Sequence, residues 1–179
     1  MAKQPRQRAR RDERAANPPP IRLTKRDLAV IKAVYEYRIL TTQQLKTLFF
    51  PSLHQAYARL AALYHHGFLA RQFTGVHADK MNTPILYTLD RRGAELLQAE
   101  LGLEVNWSRE LTRVGRPFLE HTRAINSVRV AVTVACGAPH YQLLAWHGES
   151  ELKSDYERVS VRTPSGRTSL VPVVPDSYF

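Results

Sequence analysis

Between Ile21 and Leu101 the apolar residues recur every three or four positions in four separate runs. Each run follows a hydroxyl or acidic residue suited to accept from the free amides at a helix start. Thr24 opens the first helix, with Asp27 three residues on facing the N-terminal amides, and Leu28, Ile31, Val34 and Tyr35 form its buried stripe. Thr41 or Thr42 caps a short second helix through Phe49, with Leu45 and Leu48 inward. Pro51-Ser52 breaks the chain, and Ser52 with Gln55 fits a reciprocal cap for a third helix running to about His66, where Gly67 stops it. Leu53, Ala56, Leu60 and Leu63 form the inner face of that helix. Asp90 caps the fourth helix, with Ala94, Leu97 and Leu101 inward.

Between the third and fourth helices the period changes. Residues 68–73 and 85–89 read as two strands joined by a loop over 74–84. Two helices separated by a tight turn, followed by a two-stranded ribbon, predict a winged helix-turn-helix over residues 21–101. Residues 102–117 read as a linker, interrupted by Gly102, Gly115 and Pro117. Phe118–Ala135 reads as a long helix, with Ile125, Val128, Val132 and Ala135 on one stripe; its valine-rich end also alternates as a strand would. Tyr141–His147, Val159–Arg162 and Ser169–Val174 read as strands. The expected fold class is α+β, with a small α/β module over 118–179 after the winged helix.

Charge adds a partner to this picture. The formal net charge is +10, and residues 1–26 carry nine Lys/Arg against Asp12 and Glu13, so +7 of it lies there. Residues 1–20, which end in Pro18-Pro19-Pro20, read as a disordered basic arm of the kind that draws polyanions by releasing counterions. The lone Cys136 excludes an internal disulfide and a cysteine-built zinc site. No apolar run reaches the length of a membrane span and no secretory signal precedes the fold, so a cytoplasmic location is expected.

Double-stranded DNA is the partner this layout points to. His54, Gln55, Ala58, Arg59 and His65 lie on the outer side of the third helix, and Gln43, Ser52 and Tyr57 are placed to touch phosphates or the groove edge. Arg71, His77, Lys80 and Asn82 lie on the wing. Arg59 is equally suited to a salt bridge along the helix surface. Homodimerisation on half-sites is common among such folds, although no heptad-like stripe commits the chain to it. The histidines are scattered without metal-ligand spacing, and no phosphate-binding glycine loop is present, so no cofactor is expected. His121, Asn126 and Arg129 are either polar groups packed on an inner helix face or ordinary helix polarity.

Several blocks resemble the replication-relaxation family. They are Leu23-Thr-x-x-Asp27, Tyr37-Arg-x-Leu-Thr-Thr-x-Gln-Leu45, Arg59-Leu-x-x-Leu63, Gly67-Phe-Leu69 and Tyr87-Thr-Leu-x-x-x-Gly93. The later blocks His121-x-x-x-Ile-Asn-x-Val-Arg129, Trp146-x-x-Glu149 and Val174-Pro-Asp176 are more discriminating. The resemblance covers about residues 22–179 and implies a role in plasmid or mobile-element replication, relaxation or its regulation, alongside other replication or relaxation proteins. It also implies a restriction-endonuclease-like C-terminal part, in which paired carboxylates hold Mg²⁺ to activate water. Asp176 and Glu149 are the residues that match, and Glu151 is a further acid nearby. The sequence stops three residues after Asp176, without the acidic-x-Lys strand expected next. The resemblance therefore implies an incomplete nuclease-like module, with Mg²⁺ needed only if the module cuts DNA, and its open sheet edge calls for another copy or a partner.

Overall fold

The structure is a computed structural model that describes residues 11–73, 84–108, 116–137, 141–154, 156–164 and 166–179. It has a mixed α/β architecture of helices and small antiparallel sheets, divided into two compact units, Met1–Val130 and Ala131–Phe179.

The first unit starts with α1 (Lys25–Tyr37), closed by a full capping box: the Thr24 hydroxyl accepts from Asp27 N, and the Asp27 carboxylate accepts from Thr24 N. The strand β1 (Leu40–Thr41) leads into α2 (Thr42–Phe49), where Thr41 and Gln44 form a second capping box. Phe50 leaves the helix in an extended conformation, as a residue before proline is driven to do. Ser52 then accepts from Gln55 N to start α3 (Leu53–His65), but the return bond from Gln55 is absent; its side chain points to solvent, so the expected reciprocal cap is one-sided. Gly67, at φ +77°, reverses the chain after α3.

The strands β2 (Leu69–Phe73) and β3 (Ile85–Leu89) pair antiparallel, with Arg71 opposite Tyr87. Sheet order is β1-β3-β2, which puts β3 in the centre and buries all five of its residues. Asp90 caps α4 (Arg91–Leu101), and Gly102 ends it in the left-handed conformation. Gly93 lies directly on the carbonyl of Phe68, and a Cβ there would collide with that oxygen and with Leu89. Glycine is required by this close approach of α4 to the end of the α3–β2 corner.

Val30, Ile31, Val34, Leu45, Leu60, Leu63, Leu69, Tyr87 and Leu97 are sealed from solvent in one core. Four details differ from the periodicity. In α1, Leu28 and Tyr35 are only half-buried, and Val30 and Ala33 take the interior, because the sheet meets the helix on a slightly rotated face. Leu53 and Leu101 are 41% and 42% exposed; each is a terminal helical residue and lies beyond the edge of the packed layer. Residues 102–108, expected to be linker, instead run along the core, with Leu103, Val105 and Trp107 turned to it at every second position and Trp107 Nε1 donating to Leu89 O at 3.2 Å. Residues 11–19, expected to belong to a disordered arm, follow α3 and β2: Tyr64 donates to Asp12 O, Ala15 N donates to His65 Nδ1, and Arg14 reaches Leu69 O and the Asp90 carboxylate.

The helix α5 (Arg116–Ala135) begins in this unit and is fastened by polar groups rather than by the expected apolar stripe. Leu119, Asn126 and Val130 are buried, while Val128 is 52% exposed. Asn126 Nδ2 donates to Tyr37 O at 3.0 Å and Ile39 O at 2.6 Å, bracketing Arg38, which holds a positive φ of 64°. Gln44 Nε2 donates to Ser127 Oγ, and Arg129 donates to Glu36 O while lying over the Tyr37 ring.

The second unit contains the end of α5, β4 (His147–Gly148), α6 (Glu149–Leu152), β5 (Glu157–Arg162), β6 (Thr168–Val173) and β7 (Ser177–Tyr178). β5 and β6 form the expected hairpin, with Val159 opposite Val171. Only His147 of the expected strand at 141–147 is in a ladder, and Leu144 is 86% exposed. Among the described residues of this unit none is buried.

Candidate nucleic-acid interface

The outer face of α3 is the best-exposed ordered surface carrying sequence-predicted contact residues. His54, Gln55, Tyr57 and Ala58 are exposed there, and Gln43 is exposed on the first turn of α2. Ser52 is half-buried and its hydroxyl is engaged as the α3 cap.

Three of the basic candidates are occupied by the protein itself. Arg59 forms a fork with Asp27, its Nε at 2.7 Å from Oδ1 and its Nη2 at 2.5 Å from Oδ2, and Nη2 also donates to Arg22 O. Asp27 is 1% exposed, and its Oδ2 also accepts from the Thr24 hydroxyl at 2.6 Å. Burial opposes ionisation of this carboxyl, but the hydrogen bonds from Arg59 and Thr24 outweigh it and hold the carboxyl below its usual range. The structure thus shows Arg59 in a salt bridge, but to another helix rather than along the surface of its own, and the pair ties α1 to α3.

Arg71 lies over the rings of Tyr64 at 4.4 Å and Tyr87 at 5.6 Å and donates to Arg11 O. His65 accepts from Ala15 N, and burial, reinforced by the charges of Arg71 and Arg14, pushes its pKa down, so its imidazole is neutral at pH 7. His77, Lys80 and Asn82 lie outside the described residues.

Beside this face lies a cleft of about 570 Å³. Leu53 and Tyr57 from α3, Ile85 from β3 and Ala124 from α5 line it, with Arg11 and Arg123 among its polar residues. Sequence reasoning missed α5 as a wall here, because its placement depends on Asn126 reaching residues 87 and 89 positions away.

The acidic candidates belong to the second unit. Glu149 pairs with Lys153 at 2.6 Å, and Glu151 pairs with His147 at 2.8 Å. Pairing of Gly148 with Ser177 puts Glu149 and Asp176 at the same end of the β4–β7 ladder. Among the described residues no group of three or more His, Cys, Asp or Glu is gathered to hold a metal ion. Among the described residues no helix is long and apolar enough to cross a membrane.

A capped helical unit with a three-stranded antiparallel sheet, an exposed α3 and a second small α/β unit define a mixed α/β protein. The chain belongs to the replication-relaxation family, whose model matches residues 31–179. Membership points to a role in the replication or relaxation of mobile elements. No curated protein and no solved structure matches the chain.

Proposed function

We propose that the first unit is a winged helix-turn-helix that binds duplex DNA in mobile-element replication or relaxation, with α3 lying in the major groove and the β2–β3 ribbon as the wing. The observation that carries this reading is the element order α1-β1-α2-α3-β2-β3 with sheet order β1-β3-β2, which leaves α3 uncovered along His54, Gln55, Tyr57 and Ala58. In that arrangement Gln55 and His54 reach base edges, and Gln43 and Ser52 sit at helix starts where backbone amides suit phosphates. Arg59 acts from behind, fixing the angle of α3 against α1 through Asp27.

Fluorescence anisotropy against duplex DNA at two salt concentrations tests the proposal. The expected result is binding that weakens with salt and prefers some sequences over others. Affinity no better than for heparin, with no sequence preference, refutes it.

A further inference from the structure

We propose that the cleft beside α3 takes one unpaired nucleotide of a DNA strand, with its base against Tyr57 and its phosphate between Arg123 and Arg11; this rests on the reading that the unit binds DNA. Tyr57 and Leu53 occupy successive turns of α3 and are 47% and 41% exposed, so two uncovered apolar groups stand one turn apart on this face. With Ile85 and Ala124 they give the cleft an apolar portion beside the polar side chains of α2, to which Arg123 and Arg11 add positive charge, and among the described residues no aspartate or glutamate lines it. The occupant that complements this chemistry is anionic on one side and flat and apolar on the other.

A fully paired duplex does not offer that combination. It presents phosphates and base edges, and its base faces are stacked inside. A phosphate can accept from the tyrosine hydroxyl, but it gains nothing from the ring face or from a leucine. An unpaired base has a free π face that stacks on such a ring whatever its sequence, while its phosphate meets the guanidinium groups. The cleft volume of about 570 Å³ accommodates a nucleotide-sized group. The walls are held in place beforehand: Asn126 and Gln44 pin α5, which carries Arg123, and the Arg11 carbonyl is bound by Arg71.

The test measures anisotropy with three labelled probes: a paired duplex, the same duplex with a one-base bulge, and a single strand. The expected result is that the bulged duplex binds roughly tenfold or more tightly than the paired one, the worth of one base stacked on an aromatic ring, while the single strand, which offers α3 no major groove, binds less tightly than the bulged duplex. Tyr57→Ala should bring that ratio close to one, Tyr57→Phe should keep it, and Arg123→Gln should lower the salt slope by about one. Circular dichroism melts establish that each variant is folded. A paired duplex bound as tightly as the bulged one overturns the cleft proposal and leaves the duplex reading standing, and so does a preference that survives Tyr57→Ala. Tyr57-dependent binding of unpaired probes alone supports the cleft and overturns the duplex reading. Binding to no probe overturns both.

Discussion

Replacing Arg59 with alanine separates a structural role from a DNA-contacting one. The side chain reaches Asp27 through two short hydrogen bonds, and Asp27 is 1% exposed while Arg59 keeps 31% of its own side-chain exposure. Removing the guanidinium strands a carboxylate that retains only Thr24 as a partner. Breaking a buried pair from one side costs about 3–5 kcal/mol, and the partial exposure of Arg59, which lets water into the vacated space, places this case near 3 kcal/mol. That is a large share of the 5–15 kcal/mol or so that holds a domain of this size folded. Urea unfolding followed by circular dichroism at a helix wavelength measures it. Adding Asp27→Asn to Arg59→Ala should recover about 1 kcal/mol or more, because the stranded charge disappears. If Arg59→Ala lies within about 0.5 kcal/mol of the parent, the range of ordinary surface changes, the assignment is wrong. It is equally wrong if Asp27→Asn only deepens the loss. Any drop in DNA affinity for Arg59→Ala must therefore be read at a temperature where the variant is folded.

Other outcomes follow from the same contacts. Because the folded Asp27 carboxyl titrates below its unfolded value, its stabilisation is present above about pH 4 and lost as pH falls through the folded value, so an acid unfolding series should show a shallower acid limb for Asp27→Asn than for the parent. Gly93→Ala should destabilise by about 1–3 kcal/mol or more by driving a methyl onto the Phe68 carbonyl, read as a lowered urea midpoint; a neutral result would mean that α4 does not approach so closely. Asn126→Ala removes the amide donor from Ile39 O and one of the two donors from Tyr37 O, which keeps Ile39 N, and should cost about 1–3 kcal/mol, with faster proteolysis inside α5; Asn126→Asp should not rescue it, since a carboxylate cannot donate to a carbonyl.

What the sequence determined by itself was local. The Thr24–Asp27 cap, a threonine cap at 41 or 42, the stop at Pro51 and the turn at Gly67 each depend on residues within a few positions, so spacing alone located α1 to α4 and the β2–β3 ribbon. The exposed face of α3 was legible for the same reason, since a helical period assigns its outer side once the inner side is known. What only the tertiary structure decided was how the polar groups were spent. Arg59 was open to reading bases or to a salt bridge along its own helix, and the partner it takes lies 32 residues away on another helix. Asn126 and Arg129 were open to packing on an inner helix face or to ordinary helix polarity, and only the carbonyls at the end of α1 decide between the two. Gly93 was visible as a motif letter, and its cause, the Phe68 backbone, became visible only with α4 packed on the sheet. A hydrogen bond between distant residues leaves no period in the chain, because its two halves are brought together by burial of the apolar stripes and not by their own spacing.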